Sequence, residues 1–418
     1  MTTSTRLCLY ATLIVFWGGC SQKKNDMNES HLADTSRTAS TFQEDVDFLK
    51  KYIDVMILHD SAAQGKVAVS AALQGRVMTS TSGGDNGSSY GWINRQAFTS
   101  GDTSEHMNAY GGEDRIWLGP EGGQFSIYFN KGKAFNLDNW HVPHVIDLAH
   151  YEVASSSINE AVFTKETELT NYSGTVFNIG LKRTIRIIEK NEALKNLNLG
   201  NEAKNVPIVA FESINELKNN SKDGWRKETG LLSVWILGMF NPSPGAVIII
   251  PYQGEKSELR QIVNDGYFGR IPDDRLKLVG KTVFFKADGE YRSKIGMLPE
   301  NAPEYLGSYD LDNIVLTVVK YNKPDNELDY VNSLWEVQKE PYRGDAINAY
   351  NDGPPAPGAK PLGPFFELET SSPARELDPG KSVTHRHTTF HFKGTEEELD
   401  PIMKKLFNIS IEQAKKAF

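Results

Sequence analysis

Apolar residues at Phe42, Val46, Leu49, Ile53 and Ile57 recur at the spacing of one helical face, so the ordered chain is predicted to open with a short helix followed by a strand. From Lys66 the period falls to two. Val67 and Val69, then residues 73–78 and 90–93, read as short strands, with a Gly/Ser/Asn loop over 80–89 between them. The same alternation predicts strands over 161–170, 175–188, 231–237, 246–251, 281–286, 294–297 and 314–321. Helical spacing is confined to 214–218, 328–339, 395–407 and 411–418. Strands outnumber helices and no repeat of fixed period interrupts them, so residues 42–418 read as one mainly β, mostly antiparallel domain.

The first twenty residues stand outside this pattern. A single charge at Arg6, an apolar run over 7–17 too short to span a bilayer, and Gly18-Gly19-Cys20 at its end have the form of a bacterial lipoprotein signal. Trp17 stands where an aliphatic residue is usual, which keeps simple secretion as the alternative. On the first reading Cys20 is the lipidated first residue of the mature chain, and residues 21–41, rich in Ser, Thr, Asn, Asp and Lys, form a flexible tether. The protein would then be a monomer held at the membrane of the cell envelope by its lipid anchor. The other of the two cysteines, Cys8, lies in the removed segment, so the mature chain has no disulfide and no thiol chemistry. Forty-five basic residues against 54 acidic ones give a net charge of −9 with no basic run among aromatics, which argues against nucleic acid as a partner.

The densest chemistry lies in residues 111–129, GGEDRIWLGPEGGQFSIYF. Two Gly-Gly pairs bracket Glu113, Asp114, Arg115, Trp117 and Glu121, and Phe125, Ile127 and Phe129 then alternate with polar positions as a strand. A second cluster spans 365–392. Phe366 and Leu368 share one face of a strand, which sends Glu367 and Glu369 to the other, like the paired carboxylates of many sugar enzymes. Aromatic flanks would desolvate Glu367 and make it the better base near neutral pH. His385, His387 and His391 also share one face, expected to be the open face of a sheet. The His385/His387 pair has the spacing to hold a divalent metal such as zinc, with Glu367 or His144 as a third ligand. The competing reading has these histidines bonding sugar hydroxyls or one another, with no cofactor. Trp140, His141 and His144 follow a turn and suit a pyranose platform, as do Trp117 and Trp92, whereas Trp235 in LLSVWILGMF reads as core. Arg76 and Arg115 fit a two-pronged grip on the carboxylate of an acidic sugar, or structural pairing with Glu113, Asp114 or Glu121. There is no nucleotide-binding fingerprint and no Gly-x-Ser-x-Gly elbow.

Residues 73–95 (LQGRVMTSTSGGDNGSSYGWINR), the 111–129 stretch and the closing FFELETSSPARELDPGKSVTHRHTTFHF together resemble the galactose mutarotase (aldose epimerase) superfamily, and within it a group of bacterial secreted proteins and lipoproteins. The resemblance implies an antiparallel β-supersandwich with a few short helices, in which Gly75-Arg76 ends an early strand and Pro379-Gly380 feeds the last sugar-facing one. It implies a mono- or oligosaccharide on a concave sheet face, acted on by a carboxylate base and a histidine acid. The family's Asn-His-Thr type of segment is absent, and Trp140-His141-Val142-Pro143-His144 stands in for it by analogy. On this reading Glu367, His144 and His385 are catalytic, and Arg76, Arg115, Trp117, Glu121, Trp140, His141, His387 and His391 bind substrate. Arg115, His144, Glu367, His385 and His387 are expected to line one pocket. A sugar epimerase leads, with a lyase or glycoside hydrolase on the same scaffold, or a non-catalytic carbohydrate-binding lipoprotein, as alternatives.

Overall fold

A computed structural model describes residues 40–418; the expected leader, Cys20 and nearly all of the expected tether lie outside the described residues. Helix α1 (Phe42–Leu49) opens the domain under a capping box, in which the Thr41 hydroxyl accepts the Glu44 N–H and the Glu44 carboxylate accepts the Thr41 N–H. The strands are β1 (Met56–His59), β2 (Lys66–Ser70), β3 (Arg76–Thr81), β4 (Arg115–Gly119), β5 (Glu152–Ser156), β6 (Glu160–Thr170), β7 (Val176–Ile187), β8 (Ile208–Asn219) and β9 (Ser233–Phe240). They continue with β10 (Ala246–Pro251), β11 (Leu276–Val279), β12 (Thr282–Lys286), β13 (Ser293–Met297), β14 (Tyr305–Asp310), β15 (Val315–Tyr321), β16 (Ile347–Asn351), β17 (Phe366–Ser371) and β18 (Ser382–Lys393). The remaining helices are short: α2 (Arg95–Ser100), α3 (His144–Asp147), α4 (Lys190–Asn196), α5 (Leu259–Ile262), α6 (Glu396–Phe407) and α7 (Ile411–Lys415).

All ladders are antiparallel. A ten-stranded sheet runs β11-β12-β10-β14-β15-β18-β8-β7-β6-β5, a five-stranded sheet runs β13-β16-β17-β9-β4, and β1-β2-β3 form a third. The two larger sheets pack face to face. Phe177, Ile179, Leu181 and Phe211 of the long sheet meet Ile116, Val234 and Ile236 of the shorter one, and Ile248, Leu306 and Val319 meet Ile295, Phe366 and Leu368. Each of these side chains contributes on the order of 1.5–3 kcal/mol when fully buried. The other face of the long sheet is covered in part: Ile249, Phe390 and Phe392 lie under Leu194 of α4, Leu399 and Met403 of α6, and Ile411 of α7, while the outward positions of β5 and β7 are largely exposed. The mainly β, antiparallel sandwich with few short helices expected from the sequence is what the chain forms.

Four expected elements differ, the first being residues 90–93, which form isolated bridges at Gly91 and Ile93 and no strand. Residues 214–218 belong to β8, because Ser213 and Asn215 point inward to polar partners and so hide the strand's alternation. Residues 328–339 form no helix; the Gln124 side-chain amide donates to the Gln338 carbonyl and accepts the Gln338 N–H, which ties this irregular segment to the 120–124 turn. Residues 124–129 form no strand, since Ser126 bonds the Glu121 carbonyl and caps the Tyr128 N–H, and the strand of this stretch is β4 instead.

Candidate site on the outer face of the five-stranded sheet

Alternation along β17 divides the closing cluster between two surfaces. Phe366, Leu368 and Thr370 enter the layer between the sheets, while Glu367 and Glu369 leave the other side. The 111–129 stretch divides in the same way: Asp114 reaches inward to Arg183 of β7, and Arg115 turns outward to Glu367.

On the outer face Arg115 Nη2 donates to Glu367 Oε1 at 2.6 Å, and its guanidinium lies 5.2 Å from the Trp117 ring centroid. One residue pair along, Glu369 Oε2 accepts from Lys294 Nζ and from Trp235 Nε1, both at 2.9 Å. The Lys294 ammonium also sits 4.7 Å from the Trp235 ring and 5.6 Å from the Tyr267 ring. The Tyr267 hydroxyl donates to Asp345 and accepts from Asn348 Nδ2 at 3.2 Å. Trp235, Tyr267, Lys294, Asp345 and Asn348, together with Glu121, Ser333 and Ser371, wall a cavity of about 20 Å³, room for an ordered water. Glu121 is placed there by the turn that ends β4. A Cβ on Gly122 would fall 2.4 Å from the Leu334 carbonyl oxygen, so a glycine at this position lets the 332–335 segment close over the turn. Ser333 Oγ then accepts the Glu121 N–H at 3.2 Å, and Trp335 stacks on Trp140 at 5.8 Å.

The electrostatics of this face are unusual for a covered surface. Burial pushes the Glu121 carboxyl up to about 7; Lys294 and the indoles of Trp335 and Trp140 pull it down, and Glu369 pushes it further up. Burial likewise raises Asp345 to about 6 against the Tyr267 hydroxyl and Lys294. Glu367 is raised by burial and by Glu369, opposed by Arg115. Burial works against the Lys294 charge, yet Glu369, Glu121 and Glu367 outweigh it and hold the ammonium above its ordinary value. A proton-exchanging carboxyl therefore stands beside a fixed cation, the pairing that general acid–base chemistry uses.

The expected single pocket of Arg115, His144, Glu367, His385 and His387 is corrected to the Arg115–Glu367 pair. His385, His387 and His391 occupy the inner face of β18, which packs against the five-stranded sheet instead of standing open. Thr370 Oγ1 lies 2.7 Å from His385 Nε2 and 2.8 Å from His387 Nδ1, so β17 separates both rings from Glu367. Burial, joined for His385 by the neighbouring His387, lowers these two imidazoles to about 3 and about 4, which leaves them neutral near pH 7. His391 is taken up by Glu113 and Thr317, each at 2.9 Å, under a Tyr90 ring stacked at 4.5 Å. His385 and His387, the pair expected to offer a metal site, turn the nitrogens that face each other onto the Thr370 hydroxyl, and among the described residues no three His, Cys, Asp or Glu side chains are grouped to hold a metal ion.

His144 is exposed at the start of α3, and His141 is partly exposed, stacked on His106 at 5.1 Å. Arg76 is no free grip: Nη1 donates to the Gly111 carbonyl at 3.0 Å and Nη2 to Gln74 Oε1 at 2.8 Å. Trp117 and Trp140 back the cavity as buried rings 6.4 Å apart. Trp235, read as core, is buried and also lines the cavity. Lys294, Tyr267, Asp345 and Asn348 were missed. Only Lys294 carried a signal, a lysine inside an otherwise uncharged strand.

A family model described as a family of unknown function (DUF6786) matches residues 40–418. The chain belongs to this family. No curated protein sequence matches it. Solved structures similar to this DUF6786 chain include a candidate aldose 1-epimerase from Escherichia coli K12, with TM-score 0.49, 10% identity, and 82% of this chain and 100% of that one covered. The Slr1438 protein from Synechocystis sp. PCC 6803 has TM-score 0.49 and 12% identity over 82% of this chain and 98% of that one. A galactose mutarotase-like protein from Lactobacillus casei ATCC 334 has TM-score 0.47 and 10% identity over 81% and 100%. Likeness at this level carries no activity over to the DUF6786 chain.

Proposed function

We propose that this protein is a carbohydrate-active acid–base enzyme of the epimerase or mutarotase type, working at the outer face of the five-stranded sheet. The observation that carries the reading is Glu121: a carboxyl raised to about 7, directed at a cavity that also holds Lys294, Asp345 and Tyr267. Mutarotation needs one group to take the proton of the anomeric hydroxyl and another to protonate the ring oxygen as the C1–O5 bond breaks. Glu121 takes the first proton, and the Asp345–Tyr267 couple supplies the second. Lys294 steadies negative charge that develops between them. The indoles of Trp235 and Trp335 offer the apolar faces on which a sugar's C–H surface packs. A cavity of about 20 Å³ is smaller than a sugar ring, so binding requires the 332–335 segment to lift.

The test is mutarotation of a panel of aldoses followed by polarimetry or proton NMR. Glu121→Gln should abolish turnover while leaving affinity within a few-fold of the parent, because the amide keeps the shape and cannot take the proton. Full turnover by that variant would sink the assignment. The cluster of Trp117, Trp140, Trp235 and Trp335 rings suits one second reading, a carbohydrate-binding protein without catalysis, which predicts saturable binding and no turnover in the parent. The envelope location belongs to the same proposal: Cys20→Ala should move the protein out of the membrane fraction, and continued lipid association would refute the anchor.

A further inference from the structure

We propose that Arg292 and Phe268 form a subsite beside the cavity that holds an anionic substituent, so that the natural substrate is an acidic saccharide; this rests on the carbohydrate reading above. Arg292 immediately precedes β13 and shares the parity of Lys294, which places it on the same face about 7 Å further along the strand direction. Phe268 follows Tyr267, the ring beneath Lys294. The result is two neighbouring cation–ring pairs, Lys294 over Tyr267 at 5.6 Å and Arg292 over Phe268 at 4.0 Å.

What separates Arg292 from similar arginines is its missing carboxylate. Arg95 over Phe48 is tied to Asp45, Arg115 over Trp117 to Glu367, and Arg275 over Tyr291 to Asp288. Among the described residues Arg292 alone of these stacked arginines has no ion pair and no side-chain hydrogen bond. Asp352 feels its charge, but that carboxylate is engaged by the Tyr350 hydroxyl at 2.6 Å and by the Gly363 N–H at 2.9 Å. Phe268 is 47% exposed, with its edge toward Tyr350 at 6.0 Å. A guanidinium whose donors are unused, laid on an exposed ring, presents a fork for a planar or tetrahedral oxyanion next to an apolar face for a sugar's C–H surface. A uronic acid carboxylate and a sugar phosphate share that chemistry.

The experiment titrates the full chain by calorimetry with glucuronate and galacturonate, with glucose 6-phosphate and galactose 6-phosphate, and with glucose and galactose. One acidic series should bind about 10- to 100-fold tighter than its neutral parent, the range expected for a charge-assisted fork, with the preference shrinking as salt rises. Which series wins identifies the oxyanion. Arg292→Gln should bring acidic affinity down to the neutral level, and Arg292→Lys, which keeps the charge without the fork, should retain part of the preference. Melting midpoints of both variants near the parent's value show that the fold is kept, as expected for a half-buried side chain with no ion pair to lose. Equal affinities for acidic and neutral sugars, or a preference that survives Arg292→Gln, overturn the subsite. Neutral sugars turned over without acidic preference sink this inference alone, and no saccharide binding at all sinks it together with the carbohydrate reading.

Discussion

Two buried polar layers lie on opposite faces of the five-stranded sheet, and they handle their charges differently. Between the sheets, Arg183 gives its donors to Asp114, to Asn215 Oδ1 at 2.6 Å and to the Gly75 carbonyl at 3.0 Å, while Glu113 takes the Ser80 hydroxyl at 2.8 Å and His391. That layer closes on itself, and its unpaired atoms, Asp114 Oδ2 and His387 Nε2, are shut off from solvent. On the outer face Lys294 and Glu369 close on each other, yet Glu369 Oε1 stays unpaired and Glu121 keeps a raised carboxyl at a cavity. A polar layer shut between two sheets fixes their packing; one that borders a cavity retains capacity for a ligand.

The difference is broken most sharply at Glu121. Glu121→Gln is expected to lower sugar turnover by about 10²–10⁴-fold, the usual contribution of a positioned acid or base, with the fold intact. The corresponding cut in the inner layer acts on stability instead. Arg183→Ala strands Asp114 in the core with side chains that are 0% exposed, and should cost about 3–5 kcal/mol in urea unfolding. A loss below about 1 kcal/mol would show that the inter-sheet charges are not what holds the sandwich in register. Smaller again, Thr370→Val removes the hydroxyl shared by His385 and His387 and leaves two imidazole nitrogens unpaired, for about 1–3 kcal/mol, without changing ligand affinity across the sheet.

Parity was legible in the sequence and sidedness was not. Alternation correctly paired Glu367 with Glu369 and grouped His385, His387 and His391. It could not say that both faces of β17 and β18 are covered, so the histidines were expected on an open surface and Trp235 was assigned to the core alone. A buried polar strand such as β8 defeats periodicity, because Ser213 and Asn215 sit where apolar residues would mark the inward face. Tyr267 and Asp345 reach the site from segments with no periodic signal, and only the tertiary fold brings them to Lys294. The helices expected from spacing at 395–407 and 411–418 form as α6 and a shorter α7 that ends at Lys415, and their signals are local: Thr395 with Glu398 and Ser410 with Gln413 close capping boxes within four residues.

The subtlest expected difference between the layers is the sign of their pH dependence. Folding raises Glu121 from 4.5 to about 7 and Asp345 from 3.8 to about 6, so the native state holds protons that the unfolded chain has released. Their contribution to stability is fully present below about pH 4 and is lost as pH rises through 6 to 7. Folding lowers His385 and His387 from 6.5 to about 3 and about 4, so there the unfolded chain takes up protons that the native state refuses. Their contribution is present above pH 6.5 and is lost as pH falls towards 4. Melting midpoints measured from pH 4 to 8 should therefore show the two layers acting from opposite sides. Glu121→Gln should match the parent's acid limb, gain on it as pH rises from about 4.5 to about 7, and keep a constant margin above that. A His385→Gln/His387→Gln double variant should flatten the acid limb and leave the neutral one parallel to the parent. A Glu121→Gln profile parallel to the parent throughout would mean that this carboxyl is not held in its protonated form by burial, and the proton-exchange role assigned to it would lose its physical basis.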